Sequence, residues 1–260
     1  MSDESVATDP QRPFTLAVDV GGTGIKASVL DASGLMVADR VRVDTEYPLT
    51  PEHFVSTLCE LARPLPRADR VSVGFPGVVR HGRIITAPHF VTKAGPETEV
   101  DDDLLRAWTG FQVAERLSSS LGAPVKVLND ADLQGLAVIK GDGIELVVTL
   151  GTGVGTALFR DGILAPHIDL SHHPLAKGET YNQRLGDAAF ERVGMKKWRE
   201  RVLDALETLE GLVNFDHCYV GGGNARHLQR RLSPNYEVVD NVAGILGGIR
   251  LWEGDPVPGD

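Results

Sequence analysis

A chain of 260 residues, 42% hydrophobic and 24% charged, has a globular composition and length enough for one large domain or two ordinary ones. Its formal net charge of −10 argues against a nucleic-acid coat or a membrane-surface binder. Two cysteines, Cys59 and Cys218, make neither a disulfide framework nor a zinc site, which fits a reducing cytosol.

Residues 1–13 are polar and acidic, without the basic-then-apolar order of a secretory signal, and read as a disordered lead-in. No apolar run reaches the length of about 18 residues that a membrane-spanning helix needs. Leu16–Leu30 is two β-branched runs around Gly21-Gly-Thr-Gly24, followed by a turn at Asp31–Gly34 and a third apolar stretch, Leu35–Val43. This predicts an antiparallel meander. Thr50 is a candidate N-cap before Pro51, with Phe54, Leu58 and Leu61 on one helical face. Arg70–Gly74 is a short buried strand, Leu104–Ser120 a helix, and Pro124–Leu128 a strand that runs into Asn129-Asp-Ala-Asp132.

The opening pattern then returns about 130 residues later. Leu146–Phe159 is again two apolar runs around a glycine turn, Gly151-Thr-Gly153, followed by Arg160–Gly162 and a third stretch, Ile163–Leu170. Gly186–Val213 reads as a helix, Cys218–Val220 as a strand ending at Gly221-Gly-Gly223, and Val242–Trp252 as a last helix. The order βββ-α-β-α-β followed by βββ-α-β-α points to duplication and to two related α/β domains with a cleft between them. The boundary is expected near residues 138–143. Residues 14–140 plus 241–260 would form the first domain and 141–240 the second.

Gly22-Thr-Gly24-Ile-Lys-Ala27 also fits the dinucleotide-binding fingerprint, with Asp44 about 20 residues on. That fingerprint needs a helix at its last glycines. Here the second apolar run leads straight into the turn Asp31–Gly34, leaving no room for one. The alternative is a pair of phosphate-holding turns, whose glycines let backbone N–H groups approach phosphate oxygens. Thr23 and Thr152 add hydroxyls, Lys26 adds a positive charge, and Asp19 is placed to hold Mg²⁺ directly or through water. Two ordinary hairpins with a solvated Asp19 would give the same sequence.

Phosphoryl transfer to an alcohol needs a carboxylate to take the hydroxyl proton. Asp130 is the candidate, and Asn129 can hydrogen-bond a polyol. The same segment also reads as a helix cap, with Asp132 the preferred capping residue. His167, His172 and His173 lie close to Asp169 in sequence, but two adjacent histidines do not easily face one ion.

Taken together, Asp19-Val-Gly-Gly-Thr-Gly-Ile-Lys26, Gly74-Phe-Pro-Gly77, Asn129-Asp-Ala-Asp132, Leu150-Gly-Thr-Gly-Val-Gly155 and Gly221-Gly-Gly223 resemble the ROK family of sugar kinases. The resemblance extends in order from residue 15 to about residue 250, with Asn241-Val-Ala-Gly-Ile245 among its pieces, and points to the polyphosphate glucokinase branch. It implies two ribonuclease-H-like or actin-like domains. It makes Asp130 the general base on a sugar 6-hydroxyl and Asn129 and Gly77 sugar-site residues. Gly21, Gly22, Thr23 and Lys26 become one phosphate loop, and Gly151, Thr152 and Gly153 the other. Asp19 assists Mg²⁺, and Gly222 and Gly223 lie beside the nucleoside of a nucleotide donor. The cysteine-rich zinc motif of many members is absent, so no zinc is expected.

Three departures touch the sugar site. Asp169-Leu-Ser-His172 stands where the family has Glu-x-Gly-His, His89 stands for a family Asn, and Lys93–Asp103 is an acidic insertion. The implied activity is phosphoryl transfer from polyphosphate or ATP to a hexose, with glucose the expected substrate, in a cytosolic homodimer without nucleic-acid or membrane partners. The alternatives are a kinase for another hexose or N-acylhexosamine, or a non-catalytic sugar sensor. A DNA-binding repressor would need a winged helix, and 18 residues precede Asp19. For a polyanionic donor, Arg184, Arg192, Lys196, Lys197, Arg199 and Arg201 supply a cationic run, with Arg226, Arg230 and Arg231 elsewhere. Such runs are more often solvated faces.

Overall fold

The computed structural model describes residues 12–96, 98–228, 232–239, 243–254 and 256–257. The lead-in up to residue 11, Arg230, Arg231 and Asn241–Val242 therefore lie outside the described residues. The chain divides into two compact units, Met1–Leu128 and Asn129–Asp260.

The first unit contains β1 (Thr15–Val20), β2 (Gly24–Leu30), β3 (Val41–Asp44), α1 (Pro51–Ala62), β4 (Arg70–Phe75), the short pair β5 (Val79–Arg80) and β6 (Arg83–Ile84), α2 (Asp102–Trp108), α3 (Val113–Leu121) and β7 (Val125–Asn129), whose last residue opens the second unit. Its sheet has the order β3-β2-β1-β4-β7. β1 lies between antiparallel β2 and parallel β4. A strand flanked on both sides reads as a nearly continuous apolar run, and Asp19 is the one exposed residue of β1. Thr50 caps α1 by accepting from the His53 N–H, Pro51 takes the first helical position, and Phe54, Leu58 and Leu61 are buried. The core gathers Phe54, Phe75, Phe90 and Trp108, with ring centroids 5.4–6.3 Å apart in their edge-on or tilted contacts. The Trp108 indole N–H donates to the Leu49 carbonyl at 2.8 Å.

The second unit contains α4 (Asp130–Val138), β8 (Ile144–Leu150), β9 (Val154–Arg160), β10 (Ile163–Leu164), the short pair β11 (Pro174–Ala176) and β12 (Glu179–Thr180), α5 (Tyr181–Leu185), α6 (Asp187–Val213), β13 (His217–Gly221), β14 (Tyr236–Val238) and α7 (Ala243–Arg250). Its sheet order, β10-β9-β8-β13-β14, is that of the first sheet copied strand for strand, as the sequence repeat anticipates. Its core is built on Trp198, Leu206, Leu209, Cys218 and Val220. Glu145 is fully buried at the start of β8. Its carboxylate accepts from the Lys140 and Gly141 N–H groups at 2.7 and 2.8 Å and from the Tyr219 hydroxyl at 2.9 Å, which satisfies the charge that burial would otherwise penalise.

Several expected boundaries change. The single helix over 104–120 is two helices, because Gly110 adopts φ +80°. There the chain leaves the helical path to pair with Ile84, through Gly110 N–H to the Ile84 carbonyl at 2.8 Å and Ile84 N–H to the Phe111 carbonyl at 3.0 Å. The third strands are short. Leu35 and Met36 are exposed ahead of β3, and Pro166, which lacks an N–H, stands just beyond β10. The domain boundary also differs from the expected 138–143. α4 packs on β8 and β9, and α7 packs on α4, so both helices belong to the second unit.

The α4–α7 contact is made by backbone approach. A Cβ on Gly247 would lie 1.8 Å from the Leu133 carbonyl oxygen; on the side of α4 that faces β9, a Cβ on Gly135 would lie 2.5 Å from the Phe159 ring. Gly247→Ala is expected to cost about 1–3 kcal/mol by overpacking. Gly211→Ala on α6, where a Cβ meets nothing within 4 Å, should gain about 0.5–1 kcal/mol of helix propensity. Chemical denaturation of both variants checks this; equal stabilities would mean the α4–α7 approach is not tight.

Candidate active site

In the first unit, Gly21, Gly22 and Thr23 join β1 to β2, and the Gly21 N–H donates to the Gly24 carbonyl at 3.0 Å. The Thr45 hydroxyl donates to the Gly21 carbonyl at 2.8 Å and the Tyr47 hydroxyl to the Gly22 carbonyl at 2.7 Å. Burial pushes the Tyr47 phenol up to about 12, so it stays a donor throughout the physiological range. C=O and N–H point in opposite directions across a planar trans peptide. With both carbonyls tied down, the N–H groups of Gly22 and Thr23 are directed away from Thr45 and Tyr47. Neither residue stands out in the sequence; only their place just after β3, antiparallel to β2, marks them.

Around this turn, Asp19 and Lys26 are register partners on β1 and β2, with Nζ 3.8 Å from the carboxylate. Both side chains are about half exposed, so this ion pair contributes little. His89 lies beside the turn: a Cβ on Gly22 would come 3.1 Å from its Nδ1 and 2.9 Å from Pro96. Gly77 is buried, and a Cβ there would sit 2.2 Å from the Thr86 carbonyl oxygen, so backbone packing alone requires glycine.

The second turn, Gly151–Gly153, repeats the device with different partners. The Gly151 N–H donates to the Gly153 carbonyl at 3.0 Å, and the Gly151 carbonyl accepts from the Asp187 N–H at 2.9 Å. The Thr152 N–H therefore points away from Asp187. Asn182 Oδ1 accepts from the Val154 N–H at 2.7 Å. The Leu150 carbonyl accepts from the Asn224 N–H at 3.1 Å, and the Asn224 amide donates to Asp187 at 2.6 Å. Gly222, at φ +89°, lies flat against β8, where a Cβ would meet the Leu150 oxygen at 2.2 Å; Gly223 faces open space. The turn, the start of α6 and the end of β13 thus meet at one place in this unit. A Cβ on Gly155 would lie 2.8 Å from Ala131 Cβ, so the first turn of α4 sits against β9 just beyond the glycines.

The helix cap differs from expectation. Asn129 caps α4, its Oδ1 accepting from the Ala131 and Asp132 N–H groups at 2.8 and 3.3 Å. Asp130 is the first helical residue, half-buried, with Oδ1 accepting from the Ala131 N–H at 2.9 Å. Asp132 is turned inward and buried: both its oxygens lie 3.0 Å from His167 Nδ1. Burial raises the Asp132 pKa against the lowering effect of His167. Burial pulls His167 down, but the hydrogen bond to Asp132 and the charges of Asp132, Asp169 and Asp130 outweigh it and raise the imidazole. Both shifts keep a proton on the pair. The residues are 35 apart in sequence, and nothing short-range joins them.

Asp169 and His172 are not brought together as a pair. Asp169 turns back on its own loop, accepting from the Ser171 N–H at 3.0 Å and from the Ser171 hydroxyl, while His172 is exposed. Among the described residues no group of three or more His, Cys, Asp or Glu is placed to hold a metal ion, and no helix is long and apolar enough to cross a membrane. Of the cationic run, Arg184 and Arg192 bind Glu179 at 3.0 and 2.7 Å, and Arg201 approaches it at 3.9 Å. These three brace β12 and α5 against α6 rather than forming a bare basic face.

The profile of the ROK family matches residues 15–166. Polyphosphate glucokinase of Mycobacterium tuberculosis (strain H37Rv) is 29% identical over 263 residues, which cover 95% of this chain and 93% of that protein. The polyphosphate glucokinase of Mycobacterium leprae is 28% identical over 98% of this chain and 78% of its own length. Among solved structures, the inorganic polyphosphate/ATP-glucomannokinase of Arthrobacter sp. strain KM superposes with a TM-score of 0.76 at 28% identity, covering 94% of this chain and 100% of that one.

Proposed function

Since this chain belongs to the ROK family, we propose that it is a hexose kinase that transfers a phosphoryl group from polyphosphate or ATP to the 6-hydroxyl of glucose. The observation that carries this reading is the doubled glycine turn, once per sheet, with the Gly21 and Gly22 carbonyls tied back in one and the Gly151 carbonyl in the other, which turns the Gly22, Thr23 and Thr152 N–H groups the opposite way. The named activities of the mycobacterial and Arthrobacter relatives support it.

In this reading Gly21, Gly22, Thr23 and Lys26, and in the other unit Gly151, Thr152 and Gly153, hold donor phosphates through backbone N–H groups, hydroxyls and charge. Gly222 and Gly223 border the nucleoside when the donor is ATP. Asp130 accepts the hydroxyl proton as the sugar oxygen bonds to phosphorus and the shortened donor leaves. Asn129, Gly77, His89, Asp169 and His172 bind sugar. Asp19, an exposed carboxylate at the end of a strand, suits a Mg²⁺ ion held through water, since Mg²⁺ keeps most of its hydration shell. Mg²⁺ there would offset the charge of the transferring phosphoryl group. A cytosolic homodimer belongs to the same reading.

The experiment is a donor-by-acceptor assay: ATP and polyphosphates of several lengths against a panel of hexoses and N-acylhexosamines. Transfer to glucose is expected. No transfer to any sugar from either donor would leave a sugar-binding sensor. Asp169 anchoring Ser171 in place of the family Glu and Gly favours testing other hexoses in the same panel. Asp169→Ala should raise sugar KM about 5- to 150-fold, the cost of an unpaired buried polar group, and leave donor KM unchanged. If sugar KM does not move, Asp169 lies outside the sugar site.

A further inference from the structure

The kinase reading leaves one buried charged pair without a task. Asp132 and His167 have side chains only 4% and 9% exposed, and the pair joins two segments that carry proposed site residues. Asp132 is two residues beyond Asp130 on α4, and His167 is two residues before Asp169 on the following loop. The Thr156 hydroxyl on β9 also holds this loop, by donating to the Ile168 carbonyl.

We infer that Asp132 and His167 form a positioning pair for the acceptor side of the transfer, fixing the Asp169 loop against the helix that bears Asp130. Neither residue touches the reacting atoms. Because Nδ1 lies within reach of two carboxylate oxygens, it carries the hydrogen and donates. The charged groups acting on His167 are Asp132 and Asp130 from α4 and Asp169 from its own loop; β9 meets the loop through the uncharged Thr156. With the imidazole protonated, the contact is an ion pair as well as a hydrogen bond. When the other ring proton leaves, Nδ1 still donates to the carboxylate but the attraction between opposite charges is lost. A raised imidazole means this tether is complete below the ordinary histidine value, about 6.5, down to where Asp132, itself raised by burial, takes up a proton, and weakens as pH rises through the higher folded histidine value.

The inference rests on the kinase reading, and its test separates the two. Three measurements are needed: glucose and donor KM against pH, thermal stability, and the His167 titration followed by nuclear magnetic resonance. Wild-type glucose KM should rise on the alkaline side while donor KM stays flat. His167→Ala should raise glucose KM about 5- to 150-fold, with kcat and donor KM far less changed. His167→Asn, whose amide can donate from nearly the Nδ1 position without titrating, should restore most of the affinity and remove the alkaline rise. Asp132→Asn should bring the His167 titration down to or below its ordinary value.

Glucose and donor KM moving together in His167→Ala, alongside a lower melting temperature, would make the pair a structural contact only and overturn the inference. So would an unchanged alkaline rise in His167→Asn. A wild-type protein that phosphorylates no hexose would overturn the kinase reading and the acceptor role with it. A His167 titration at its ordinary value would overturn the pair alone.

Discussion

Asp130→Asn is expected to cut turnover by about 10²–10⁴, the usual contribution of a general base, while the protein stays folded and still binds sugar. Asparagine keeps the size of the side chain and an oxygen able to accept from the Ala131 N–H, as Asp130 does at 2.9 Å. The cap of α4 is unaffected, because Asn129 supplies it. The variant therefore removes the charge and the capacity to take a proton while keeping the shape and the backbone contact. Steady-state kinetics beside calorimetric sugar binding checks this, and activity within a few-fold of wild type would reduce Asp130 to a helix-start residue.

Gly151→Val should be the cleanest test of the phosphate turns. A Cβ at Gly151 meets nothing within 4 Å, so the folded state accommodates the branched side chain and the melting temperature should hold. A donor phosphate approaching the Thr152 N–H would collide with it. Losing its hydrogen bond to a charged group, at about 1.5–3 kcal/mol, would raise donor KM about 10- to 150-fold while sugar KM holds. The matching change at Gly22 is less informative, since a Cβ there already crowds Pro96 and His89. If Gly151→Val leaves donor KM unchanged, the second turn does not touch phosphate.

The parts of this protein legible from sequence are those where local chemistry decides the outcome. Thr50-Pro51 starts α1 because the cap and the proline act within one turn. The two glycine turns announce themselves because alternation and loop length fix a hairpin locally, and the matching strand orders follow from the repeat. What was not legible depends on distant partners. Gly110 breaks a helical pattern only because Ile84 offers a backbone to pair with. Asp132 looks like a cap until His167, far along the chain, draws it inward and leaves the task to Asn129. The second-unit membership of α4 rests on Gly155, Gly135 and Gly247, whose missing side chains permit contact but give no apolar signal of their own.

The α4–α7 contact also has a consequence for synthesis. α4 is made soon after β7, yet the helix that covers it begins only at Ala243, about 100 residues later. α7 brings Arg250, which donates to the Leu136 and Ile139 carbonyls at 3.0 and 3.1 Å and so closes the end of α4 opposite Asn129. A nascent chain holding both glycine turns has everything proposed to grip a phosphate donor, but the helix that presents Asp130 still lacks its lid and its second cap. Emerging N-terminus first, the chain has both glycine turns before the helix that starts at Asp130 is covered. A chain ending short of α7 is expected to keep both glycine turns but to leave the far end of α4 uncovered and uncapped.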